Sequence, residues 1–417
     1  MSKSIAVAGI DIGSNKVCCA CGIYDKNLKI VKVVAATSIE CDGIKAGAVI
    51  NIQEAATAIN KAIEEVEKNS DYDINDVIIA MRGNFIKSKS AKGIANINYS
   101  NKEVTEETIE NVLENAKKQI KIEAEEEIFQ ILPREYILNQ QKGIQNPIGM
   151  EGNHIEVDVH AFLGCNTNLC NISKAMHSIG IDYSDRVYGY LVASDILVTK
   201  EEKELSCIVI DFGGLTTGIV HYLHGLVKHT DELSEGSDYI TRDIGHKLRA
   251  TYAVSKQIKE TYGAAFVLNG FKNEEFEYKA ADGISFKKYN RLDLVNGIIT
   301  PRFDRILYQI KEIIKINDYG DEFLSGGVII TGGGSKLMYI TEAIEKAFNC
   351  SVRTGIPAST LVEGSSSIIL NPSYITAIGA IVFNFSNTKK NSSWNLNKKI
   401  VKNDLKSKIL KWFEEVF

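Results

Sequence analysis

Cys207-Ile208-Val209-Ile210-Asp211-Phe212-Gly213-Gly214-Leu215-Thr216-Thr217-Gly218-Ile219-Val220 is the stretch that decides how this chain is read. An apolar run enters an Asp-x-Gly turn and a second apolar run leaves it, the pattern of two buried strands joined by a turn. The same device stands near the start of the chain, where Ile5 to Ile12 enters Asp11-Ile12-Gly13-Ser14 and Val17 to Ile23 leaves it. Two such turns predict an internal duplication, one copy in each half of an α/β molecule. A third glycine turn, Thr331-Gly332-Gly333-Gly334-Ser335, follows a strand expected over Val328 to Ile330 and precedes a helix expected over Leu337 to Phe348.

The chemistry follows from the glycines. Without a Cβ, a turn lets backbone N–H groups approach phosphate oxygens closely. Gly13, Ser14, Asn15 and Lys16 in the first turn are therefore candidate ligands of a polyphosphate, with Lys16 as counter-charge. Gly213, Gly214, Leu215, Thr216 and Thr217 take that role in the second, the threonines adding hydroxyls. Asp11 and Asp211 end the two entering strands and are expected to face one spot, where they would hold a hydrated Mg²⁺. Asp211 is also the candidate to polarise water. Gly332, Gly333, Gly334 and Ser335 offer flat backbone to a nucleobase or an α-phosphate.

The rest of the chain is ordinary globular sequence: 417 residues, 44% hydrophobic and 24% charged, enough for two to four compact units. A third strand is expected over Lys29 to Ala35, a helix over Glu54 to Lys68 and a strand over Asp76 to Met81. A helix over Thr105 to Ile120 carries Ile109, Val112, Leu113, Ala116 and Ile120 on one face. Phe129 to Phe162 reads as extended, and Thr300-Pro301 reads as N-cap and first position of a helix to Ile316. The eight cysteines show no paired C-x-x-C spacing, as expected of reduced thiols in a cytoplasmic protein. Cys18, Cys19 and Cys21 alternate across a strand and so do not converge on a metal. The start has no leader-like apolar region, and no run approaches the roughly 20 residues of a membrane span.

Charge is uneven along the chain. The net charge is −5, which advertises no nucleic-acid partner, yet Lys389 to Lys411 holds eight lysines and one acid. That stretch carries +7 and leaves −12 elsewhere. Placed on a helix capped by Asn403, Leu405, Ile409, Leu410, Trp412, Phe413, Val416 and Phe417 share one face. Lys408 and Lys411 lie opposite, and Lys406 lands inside the apolar arc, where its stem can snorkel to headgroups. Such a helix, behind a basic polar linker, has the composition of an interfacial membrane anchor for anionic lipids.

The order of the Asp11, Asp211 and Gly332 turns resembles the phosphate-1, phosphate-2 and adenosine motifs of the actin, Hsp70 and hexokinase superfamily. Further stretches resemble the FtsA family of bacterial cell-division proteins in particular: Ile240-Thr241-Arg242-Asp243-Ile244, Ile258-Lys259 with Tyr262-Gly263, Pro147-Ile148-Gly149-Met150-Glu151-Gly152, and Ala377-Ile378-Gly379. The resemblance spans about residues 5 to 385 and then the tail. It implies an actin-like two-lobed fold of duplicated RNase H-like halves, with an inserted α+β subdomain and a C-terminal amphipathic helix. The expected boundaries are 1–83 and 164–205 for the first lobe, 84–163 for the insert and 206–385 for the second lobe. A linker at 386–402 and the amphipathic helix at 403–417 complete the chain. It further implies ATP with Mg²⁺ as ligands, with Gly236, Lys256 and Lys259 added to the nucleotide site. The implied partners are further copies of the chain, the C-terminal tail of FtsZ at Arg302 and Arg305, and later division proteins. The implied place is the cytoplasmic face of the membrane at the division septum. Two departures favour binding over hydrolysis: Gly189-Tyr190 stands where that family has Glu-Pro, and Ser255-Lys256 where it has Ala-Glu. The competing readings are a sugar or acid kinase of the same superfamily and a pilus-assembly adaptor related to FtsA.

Overall fold

The computed structural model describes residues 6–74, 76–97, 102–316 and 324–389. Two sheets of one design organise it. In the first, Ala6–Ile12, Lys16–Asp25 and Ile30–Glu40 form an antiparallel meander, and Asp76–Met81 and then Asp185–Tyr188 extend it in parallel beyond Ala6–Ile12. In the second, Cys207–Phe212, Thr217–Leu223 and Leu226–Leu233 repeat the meander, and Val328–Thr331 and Val352–Thr354 repeat the parallel extension. The equivalence reaches single residues. Asp11 pairs with Cys18 and Ala80, while Asp211 pairs with Gly218 and Thr331. The central strand of each sheet is buried along its whole length, which is why both read as unbroken apolar runs. What the two Asp turns announced is thus the repetition of a five-stranded topology.

The chain then returns to its first half. Val362–Gly364 pairs in parallel with Ile30–Glu40 as a sixth strand, and helix Ile375–Lys389 packs on the first sheet. Gly9 admits that helix, because a Cβ there would collide with the Ala377 carbonyl oxygen. The second lobe expected over 206–385 therefore gives way to first-lobe structure by Val362. A three-residue strand is too short to show alternation in sequence. The helix also runs to Lys389, past the linker start expected at Ser386.

The insert has its own core. A four-stranded antiparallel sheet, in the order Ile86–Asn96, His154–Cys165, Glu126–Leu138, Gln141–Ile144, is covered by helix Glu106–Gln119. That helix starts on a Thr105–Thr108 capping box and buries Ile109, Val112, Leu113 and Ala116. Cys18, Cys19 and Cys21 are buried in strand Lys16–Asp25, and burial pushes the Cys18 thiol up to about 12 and that of Cys21 up to about 11.

Two local expectations are corrected. Thr300 is not an N-cap: the helix begins at Arg291, capped by Asn290, and passes through a π-turn at Val295–Ile299 before Thr300–Ile316. Pro301 has no N–H to donate, and the wider turn just before it carries the helix past the missing bond. The helix expected over Leu337 to Phe348 begins at Ile340; a 3-10 turn, Gly333–Lys336, and the left-handed Tyr339 (φ 61°) precede it. No helix among the described residues is long and apolar enough to cross a membrane. The amphipathic face from Leu405 to Phe417, with Lys406, Lys408 and Lys411, lies outside the described residues.

Candidate functional site

The two Asp-x-Gly turns have the same closure: Gly13 N–H donates to the Lys16 carbonyl and Gly213 N–H to the Thr216 carbonyl, each at 3.0 Å. They meet across the cleft, where Leu215 N–H donates to Ser14 Oγ at 3.0 Å. Helix Ser237–Leu248 is seated on the second turn, with Ser237 N–H on the Gly213 carbonyl (2.9 Å) and Asp238 N–H on that of Gly214 (2.8 Å). Gly236 allows this seating, because a Cβ there would meet the Gly213 carbonyl oxygen at 2.7 Å. Thr217 Oγ1 ties the same turn to the Glu235 carbonyl at 2.7 Å. Lys259 donates to the Ser237 carbonyl at 3.1 Å and stands 3.9 Å from the Asp238 carboxylate; burial lowers its pKa, with Asp238 opposing.

Gly332 adopts φ 84° and ψ 165°, and the parallel pairing of Asp211 with Thr331 brings it against Asp211. Gly333, Gly334 and Ser335 follow in the 3-10 turn, where Ser335 Oγ donates to the Gly332 carbonyl at 2.7 Å. The structure therefore brings Gly13, Ser14, Gly213 to Thr217, Gly236, Lys259 and Gly332 to Ser335 close together where the two halves meet. Asn15 is exposed, and its carbonyl accepts the Cys41 N–H at 2.9 Å. Lys16 reaches Ser373 Oγ at 2.9 Å, and Lys256 bridges to Glu40 of the other lobe at 3.6 Å on the exposed rim.

Three residues that the sequence did not place among the site ligands hold the centre. Arg82, at the end of strand Asp76–Met81, lies between the two aspartates: Nε donates to Asp11 Oδ1 at 2.9 Å and Nη1 to Asp211 Oδ2 at 3.4 Å. The carboxylates expected to hold Mg²⁺ are thus engaged by a side chain of the protein. Burial raises the Asp211 pKa, and Arg82 opposes that rise. The Tyr190 hydroxyl bonds Thr216 Oγ1 at 2.9 Å, and its ring fills the space left by Gly218. Glu232, half-buried, accepts the Gly83 N–H at 2.9 Å, and desolvation of its carboxyl pushes it up to about 7. A signal for Arg82 does exist in the sequence: it is a cation directly after the wholly apolar run Val77 to Met81.

Arg302 and Arg305 lie elsewhere, along a groove of about 540 Å³ with His246, Lys247, Ile298 and Pro301. Arg302 is held by Asp243 (2.6 and 3.0 Å) and Glu235 (3.2 Å), whereas the exposed Arg305 reaches Glu235 at 2.9 Å.

A repeated five-stranded unit on each side of a glycine-lined cleft defines the actin-like class. Solved structures agree: over 91% of this chain and 98% of its own, the chain of a PilM–PilN type IV pilus biogenesis complex matches with TM-score 0.65 at 14% identity. MreB5 of Spiroplasma citri bound to ADP matches over 96% and 99% with TM-score 0.55 at 10% identity. The family model for the SHS2 domain inserted in FtsA matches residues 83–163, and that for cell division protein FtsA matches 208–379. Cell division protein FtsA of Borreliella burgdorferi is 30% identical over 418 residues, covering 99% of both chains. This chain belongs to the FtsA family of cell division proteins.

Proposed function

We propose that this chain binds ATP between its lobes, assembles with further copies of itself, and tethers FtsZ polymers to the cytoplasmic face of the membrane at the division septum. The observation that carries the reading is the meeting of three glycine turns, from residues 13, 213 and 332, at one buried charge cluster. ATP selects the closed arrangement of the lobes, and its turnover is slow, because Tyr190 offers a hydroxyl already shared with Thr216 where the family has a carboxylate. The groove at Arg302 and Arg305 carries more basic than acidic groups, which suits an acidic peptide such as the FtsZ tail.

The C-terminal residues supply the membrane contact. Six lysines lie between Lys398 and Lys411, and each is worth about 1 kcal/mol near an anionic surface. The test is co-sedimentation with anionic vesicles. The full chain is expected to pellet, more so with ATP and less at high salt, while a chain ending at Asn397 stays in solution. If both stay in solution, the tail docks on protein and the tethering reading is wrong.

A further inference from the structure

The cation between the two aspartates belongs to the chain itself. Besides the bonds from Nε and Nη1, Arg82 Nη2 donates to Asp11 Oδ2 at 2.5 Å and to Thr376 Oγ1 at 2.7 Å. Tyr190 lies beneath the guanidinium, 5.3 Å from ring centroid to Cζ. Arg82, Asp11 and Asp211 are all nearly out of solvent. The guanidinium thus joins the end of the first central strand, the end of the second and the start of helix Ile375–Lys389. Its fork matches the Asp11 carboxylate in two-point geometry, the strong form of such a pair.

We propose that Arg82 is the resident counter-cation of the cleft, supplying the positive charge to a bound nucleotide polyphosphate that a hydrated divalent ion would otherwise bring. ATP then binds this protein with little need of Mg²⁺. The inference deepens the nucleotide-site reading and rests on it. The geometry supports it in three ways. Arg82 sits where the strands that lead into the Asp11 and Asp211 turns converge, bonded to both aspartates. A divalent ion on the same two carboxylates would have to displace an arginine held by four hydrogen bonds, or stand beside it against like-charge repulsion. The nearest other cation of the first turn, Lys16, is turned away to Ser373.

The test is ATP affinity of the full chain, read by calorimetry, in excess Mg²⁺ and again in excess EDTA. The parent is expected to lose less than about fivefold in EDTA. Arg82→Ala is expected to bind at least about thirtyfold more weakly than the parent in EDTA and to recover most of that loss in Mg²⁺, because the vacated carboxylates can then take the metal. Arg82→Lys, which keeps the charge and loses the fork, should fall between. Should Arg82→Ala not fold, the parent's own Mg²⁺ and EDTA pair decides alone. A loss above fivefold for the parent in EDTA overturns the role of Arg82 and leaves the nucleotide site standing; no binding in either buffer overturns both.

Discussion

Gly332→Ala is expected to abolish ATP binding and to destabilise the folded chain by about 3 kcal/mol. At φ 84° and ψ 165°, residue 332 occupies a region open essentially to glycine alone, and forcing another residue there costs roughly 1–3 kcal/mol. The new methyl would also collide with Asp211 Oδ1 and stand 2.6 Å from the Phe212 carbonyl oxygen, an overpacking worth about 1–3 kcal/mol more. Relief requires Asp211 to swing, which breaks its pairing with Arg82 and moves the third turn off the cleft. Gly333→Ala is the control for stability. It is one residue further on, without positive φ and with nothing within 4 Å of its added Cβ, so it should unfold like the parent. Urea denaturation of both variants, and an ATP titration of Gly332→Ala against the parent, check this. A Gly332→Ala chain that unfolds like Gly333→Ala and binds ATP like the parent contradicts the placement of the third turn.

The second large effect concerns pH. Glu232 rises from 4.5 to about 7 because its carboxyl is desolvated, and the bonds from Gly83 and Tyr190 and the charge of Arg82 offset only part of that desolvation. Between pH 4.5 and 7 the folded chain keeps a proton that the unfolded chain has lost, so stability from this group falls as pH rises through that window and is level above it. The loss amounts to about 3 kcal/mol. Glu232→Gln keeps an acceptor for the Gly83 N–H and carries no charge. It should therefore be more stable than the parent by about that much at pH 8 and equal to it at pH 4. Two buried histidines act in the opposite sense in both proteins. Burial lowers His160 to about 3 and His221 to about 4, so their contribution is present above 6.5 and is lost as pH falls through those values. Because they are common to both chains, the difference between parent and variant isolates Glu232. A difference that does not change with pH would mean that the Glu232 carboxyl titrates alike in the folded and unfolded chain, and so is not raised by burial.

What could be read in the sequence was what the chain states locally. Asp11-Ile12-Gly13-Ser14 and Asp211-Phe212-Gly213-Gly214 each sit between apolar runs, so the turns, the flanking strands and their duplication follow from short-range pattern. The helix over the insert declares its inner face by period. Arg82, Tyr190 and Glu232 were not legible as partners, because they come from three separate elements and meet only through the order of strands in two sheets. Glu232 ends strand Leu226–Leu233, whose burial is irregular and gives no clean alternation. Thr300-Pro301 misled for the opposite reason: locally it is a good helix start, but the π-turn before it belongs to a helix whose true cap, Asn290, lies ten residues upstream. The Val362–Gly364 strand was hidden by its length, and with it the return of the chain to the first lobe.

Amide hydrogen exchange of the full chain with and without ATP tests whether three turns far apart in sequence form one nucleotide site. ATP is expected to slow exchange together at Gly13 to Lys16, at Gly213 to Thr217 and at Gly332 to Ser335, with the closing contact between Leu215 and Ser14 sharing the change. Protection at one turn alone, or confined to the groove at Arg302, would contradict it.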